Sequence, residues 1–135
     1  MQKPEHLERI AYELALDVQA EGVRYIEVRF APQLHVNKDM DLKTVLESVN
    51  KGLEKAQREF NLQTEILDGS EPPFYYGIIV CAMRFLGPWS EYYKGFIDTF
   101  SFSSIDEISR LAAIELAKGA IKMRDDLGID RKSVV

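Results

Sequence analysis

A parallel α/β architecture, ordered helix-strand-helix-strand-helix, follows from the way two hydrophobic periodicities alternate along these 135 residues. In YIEVRF, apolar Ile26, Val28 and Phe30 alternate with Tyr25, Glu27 and Arg29, the two-residue repeat of a strand. Between Asp41 and Phe60 the repeat becomes helical, and Leu42, Val45, Leu46, Val49, Leu53, Ala56 and Phe60 fall on one stripe. FYYGIIVCAMR, residues 74–84, is continuously apolar, as a strand buried on both faces must be.

The first helix is expected from Pro4 to Glu21, with Leu7, Ile10, Ala11, Leu14 and Val18 inward. Pro4 is tolerated in the first turn and Gly22 acts as the stop. The first strand runs from about Val23 to Ala31 and ends at Pro32, which has no amide hydrogen to give to a ladder. Asp41 is placed to cap the second helix. NLQTEILDGSEPP reads as a polar loop before the second strand. Ser104, with Glu107 three residues on, forms a capping box for a third helix that carries Ile108, Leu111, Ala112, Leu116, Ala120 and Met123 and stops at Gly128. The two strands start about 50 residues apart and each is followed by a helix, so the chain holds two successive βα units.

Half of the chain's aromatic residues lie between Phe85 and Phe102, at near-helical spacing as far as Phe100. A short extra helix packing beneath the domain is the preferred reading. The alternative is a cover over a site at the strand ends.

Composition narrows the function classes. A hydrophobic share of 46% with 29% charged residues is that of a globular domain, and a net charge of −5 leaves no basic face for nucleic acid or anionic lipid. No run is long enough to span a membrane and MQKPEHLERI lacks a signal-type apolar segment, so a cytoplasmic location is expected. Cys81, the one cysteine, sits in GIIVCAM and reads as a small buried hydrophobe rather than a reactive thiol.

Two parallel strands cannot shield all their faces and edges with three helices. The rhythm also stops at GIDRKSVV, where a further strand is due and where Val134 and Val135 are too short to complete one. The expectation is a segment of a larger (β/α) protein, cut or frame-shifted at both ends, with residues 131–135 outside the pattern. In a closed (β/α)8 barrel, Ile26, Val28 and Phe30 would face helices while Tyr25, Glu27 and Arg29 pointed inward. Buried charges need partners, so a structural ion-pair network is preferred to direct catalysis for Glu27 and Arg29.

These residues carry a family resemblance. GVRYIEVRFAPQLH, preceded by LERIAYELALDVQAEG, resembles the second barrel strand of the adenosine deaminase family, and YYGIIVCAMR resembles its third. The intervening helix ending in EKAQREFN and the third helix leading to LGID fit the same order. The match runs over residues 1–130, weakest in the aromatic segment and absent from RKSVV.

What the resemblance implies is a zinc-dependent hydrolase of purine salvage that converts adenosine, and 2′-deoxyadenosine, to inosine or 2′-deoxyinosine with release of ammonia. In such enzymes zinc makes hydroxide available near neutral pH for attack at C6 of the purine. Three histidines and an aspartate hold the metal, and a glutamate protonates the ring. The strands that bear those groups have no counterpart here. The only histidines are His6 and His35, too few for a tetrahedral zinc site, and no His-Ala-Gly-Glu segment occurs. His35 reads as a loop histidine, and Asp125-Asp126 as a solvated helix face.

The carry-over is therefore limited to lining and support, with no catalytic residue and no metal ligand. Met83 stands where the family has a methionine beside the nucleoside. Ala31 replaces a residue that is serine in some members, and Leu34 adds to the apolar wall. Glu27, Arg29 and Arg84 are expected to form the interior polar network. On this reading the chain alone binds no zinc and is inactive, and the remaining barrel segments are its needed partner. Two alternatives stay open: a small α/β interaction module that uses the aromatic segment, and a family relative acting on adenine or another aminopurine.

Overall fold

The computed structural model describes residues 3–81, 91–127 and 132–134. Helix α1 spans Pro4–Ala20, and Gly22, with φ of +90°, turns the chain into strand β1, Tyr25–Phe30. A 3-10 turn, Pro32–His35, follows directly. Helix α2, Leu42–Asn61, starts where the Thr44 amide donates to the Asp41 carboxylate at 2.8 Å. After the one-turn helix α3, Thr64–Leu67, come β2, Tyr75–Val80, and α4, Glu91–Thr99. Helix α5, Ile105–Leu127, opens on the expected cap, with the Glu107 amide donating to Ser104 Oγ at 3.2 Å.

The fold is mixed α/β with a parallel sheet. β1 and β2 pair in register from Tyr25 opposite Tyr75 to Phe30 opposite Val80. The sheet has a third member, β3, Lys132–Val134, parallel to β2 with Ile78 opposite Lys132. This corrects the expectation that residues 131–135 hold no strand. Three residues suffice here because the long α5 returns the chain to the β2 edge, and pairing rather than hydrophobic length defines the strand.

One face of the sheet carries the core. Leu7, Ala11 and Ala15 of α1 pack with Val45, Val49, Leu53 and Ala56 of α2, and with Phe74, Ile78, Val80, Leu116 and Ala120. Ile26, Val28 and Phe30 join this cluster from β1. The helices α1 and α2 touch at Gly52, where an added Cβ would lie 2.1 Å from the Glu8 carbonyl oxygen. That close approach sets the rotation of α1. Ala15 and Gln19 are turned inward, whereas Ile10 and Leu14, expected in the buried stripe, are 47% and 40% exposed.

The opposite face of the sheet has no covering layer among the described residues. Tyr25, Glu27 and Arg29 are exposed in alternation with the core-facing residues of β1. On β2, Tyr75 is exposed while Gly77 and Ile79 of the same face are buried and part-buried, so the expectation that β2 is buried on both faces fails at its first residue. No helix among the described residues is long and apolar enough to cross a membrane.

Candidate functional site

The carboxyl ends of β1 and β2 are the natural place to look, since ligands of parallel α/β sheets bind outside that edge. β1 runs into Ala31, which is half-buried, and the ring of Pro32 then starts the 3-10 turn. Within the turn Gln33 is wholly buried, Leu34 is 52% exposed and His35 is half-buried beside the Phe30 ring, with centroids 6.2 Å apart. Burial pulls the His35 imidazole below its ordinary pKa, so it is neutral at pH 7. The loop beyond is held by Asn37, whose side-chain oxygen accepts from the amides of Asp39 and Met40 at 2.8 and 2.9 Å.

Gln33 ties this turn to the rest of the strand ends. Its Nε2 donates to the Cys81 carbonyl and to the Tyr93 hydroxyl of α4, each at 3.1 Å. Cys81 in turn donates its amide to the Phe30 carbonyl at 2.9 Å, continuing the β1–β2 ladder one residue past the strands. Cys81 is in no disulfide, and it is part-buried rather than the fully buried small hydrophobe expected of it.

Helix α4 is the extra helix expected in the aromatic segment. Tyr93 is buried against Ile108 and Ala112 of α5, with Tyr92, Phe96 and Ile97 packed around them. Tyr92 stacks edge-on against Tyr93 and donates weakly to the Ala112 carbonyl at 3.5 Å. Burial, with Tyr93 and Glu115 near, pushes its phenol up to about 12. The rings of Phe96 and Phe100 continue the row.

The structure places the sequence-predicted residues unevenly. Ala31 and Leu34 lie together at the end of β1. Glu27 and Arg29 project from the open face of the same strand, flanking Val28. Met83 and Arg84 fall outside the described residues. His6 is exposed on the first turns of α1, and Asp125 is exposed on α5 beside Arg124. Gln33 was not foreseen: a glutamine after a strand looks like any polar turn residue, and nothing local reports its distant partners.

A zinc site needs three or four convergent donors. Among the described residues no three His, Cys, Asp or Glu side chains converge in that way, and the whole sequence has two histidines. The donors present do not fit the metal.

A family model described as adenosine deaminase matches residues 1–73, which takes in α1, β1, the 3-10 turn and α2. The chain belongs to the adenosine deaminase family. An adenosine deaminase of Clostridium perfringens (strain SM101 / Type A) is 48% identical over 67 residues, covering 50% of this chain and 20% of that protein. Adenosine deaminases of Clostridium botulinum strains 657 and Langeland are each 37% identical over 91 residues, or 64% of this chain. The chain spans 28% and 27% of those two proteins, so it corresponds to about a quarter of an adenosine deaminase.

Proposed function

We propose that this chain is the second and third strand–helix units of a zinc-dependent adenosine deaminase barrel. In the whole enzyme it supplies scaffold and pocket wall for hydrolysis of adenosine or 2′-deoxyadenosine in cytoplasmic purine salvage. The single observation that carries the proposal is the family match over residues 1–73, which includes the strand that bears Glu27 and Arg29. The uncovered face of that strand supports it. Tyr25, Glu27 and Arg29 form a row that a surrounding barrel would turn into interior lining.

On this reading Ala31 and Leu34, with Met83, line the nucleoside, while Glu27, Arg29 and Arg84 hold the interior polar network. The chain adds no metal ligand and no proton-transfer group, and it is silent on its own. Remaining barrel segments provide those groups.

The test has two arms. Purified chain with added zinc should form no inosine from adenosine, and turnover that a chelator abolishes would refute the silence. Grafted in place of the matching segment of the Clostridium perfringens relative, residues 1–81 should leave an enzyme that retains zinc and turnover. Zinc retained with turnover lost would sink the claim that the segment forms a competent wall.

A further inference from the structure

Gln33 is a polar side chain with no exposure, and half of its amide is unsatisfied. Nε2 makes two hydrogen bonds, to the Cys81 carbonyl and to the Tyr93 hydroxyl, whereas Oε1 is buried with no partner among the described residues. Rotating the amide by half a turn does not help, because Oε1 would then face the Cys81 carbonyl, acceptor against acceptor. A leucine or methionine would fill the same space without leaving an orphan acceptor. The two donor bonds are what a glutamine offers here and an apolar residue cannot.

Those bonds run between parts whose apolar residues pack in different clusters. The described core falls into two clusters, one beneath the sheet and a smaller one in which Tyr93 of α4 meets Ile108 and Ala112 of α5. Helix α4 contacts the 3-10 turn and α5. Among the described residues, the Gln33–Tyr93 bond is the side-chain hydrogen bond that links α4 to the strand ends.

We propose that Gln33 is a positioning residue that seats α4 at the carboxyl ends of β1 and β2. It thereby fixes the place of α4 and of the aromatic row Tyr92, Phe96 and Phe100 that runs along it. The seating stands on geometry alone; that the strand ends admit a purine nucleoside rests on the deaminase reading.

Hydrogen exchange read by mass spectrometry on the full 135-residue chain tests the seat, with the peptides of α1 and α2 as internal reference. In Gln33→Leu, loss of two hydrogen bonds should speed exchange in α4 about tenfold while α1 and α2 keep their wild-type rates. Gln33→Glu gives a readout that mere packing would not move. Its buried carboxyl has a raised pKa, so the neutral acid, which can donate to the Cys81 carbonyl, persists at about pH 5 and is lost by about pH 8. Protection of α4 relative to α1 should therefore be present at the acid end and fall as pH rises through that pKa.

Unchanged α4 exchange in Gln33→Leu, or a Gln33→Glu ratio that does not vary with pH, overturns the proposal. If Gln33→Leu loosens α1 and α2 as well, Tyr93→Phe decides, since it leaves the Gln33–Cys81 bond in place. Faster exchange confined to α4 then supports the seat, and wild-type exchange in α4 rejects it. None of these outcomes is read through turnover, so failure of the seat and failure of the deaminase reading are separate results.

Discussion

Asp41 shows what one side chain contributes at the start of α2. Its carboxylate accepts the Thr44 amide, and that bond holds its pKa below the ordinary value. Asp41→Ala should cost about 1 kcal/mol in chemical denaturation, the usual loss for an N-cap. A depressed carboxylate stabilises above its unfolded pKa, so the difference between wild type and variant should shrink as pH falls through the folded pKa. This cap was legible because capping is local, and the same holds for Ser104 with Glu107. Residues whose partners are remote backbone atoms were not legible. Gln33 reaches the Cys81 carbonyl 48 residues on, and Asn61 takes both the amide and the carbonyl of Phe74, 13 residues on. No periodicity in the sequence encodes either clasp.

At the scale of elements, α1, α2, α5, β1 and β2 followed from their hydrophobic repeats, whereas α3, which lies in the stretch read as a polar loop, and the rotation of α1 did not. The spacing put Ile10 and Leu14 of α1 in the core beside Leu7 and Ala11, whereas the contact at Gly52 kept Leu7 and Ala11 inward and turned Ala15 and Gln19 in instead of Ile10 and Leu14. A repeat of apolar residues defines a face only to within about one helical position, and the tightest backbone approach settles the rest. Gly52→Ala tests that account, because its methyl group would overlap the Glu8 carbonyl oxygen. We expect a loss of roughly 3 kcal/mol or more in denaturant unfolding, since a backbone atom cannot yield as a flexible side chain does. A loss near zero would mean that α1 and α2 meet elsewhere. Strand β3 was missed for a related reason, since three residues carry too little pattern until α5 brings them beside β2.

For the whole molecule, fold class was readable from strand-type and helical repeats that alternate along the chain, and family from GVRYIEVRFAPQLH and YYGIIVCAMR together, the first of which pairs an ordinary core face with a row of polar and aromatic residues. The covering of that row was not readable, since it depends on groups that the described residues do not contain. On the function proposed above, this face, open among the described residues, becomes lining when the rest of a deaminase surrounds it. Tyr25 and Tyr75 stand on it at 45% and 52% exposure, while Tyr93 is 4% exposed. Hydroxyl-radical footprinting of the purified chain reads the three tyrosines at once. Tyr25 and Tyr75 should be labelled at rates close to those of the denatured chain, with Tyr93 strongly protected. Protection of Tyr25 and Tyr75 equal to that of Tyr93 would contradict that reading, because the face would then be covered already.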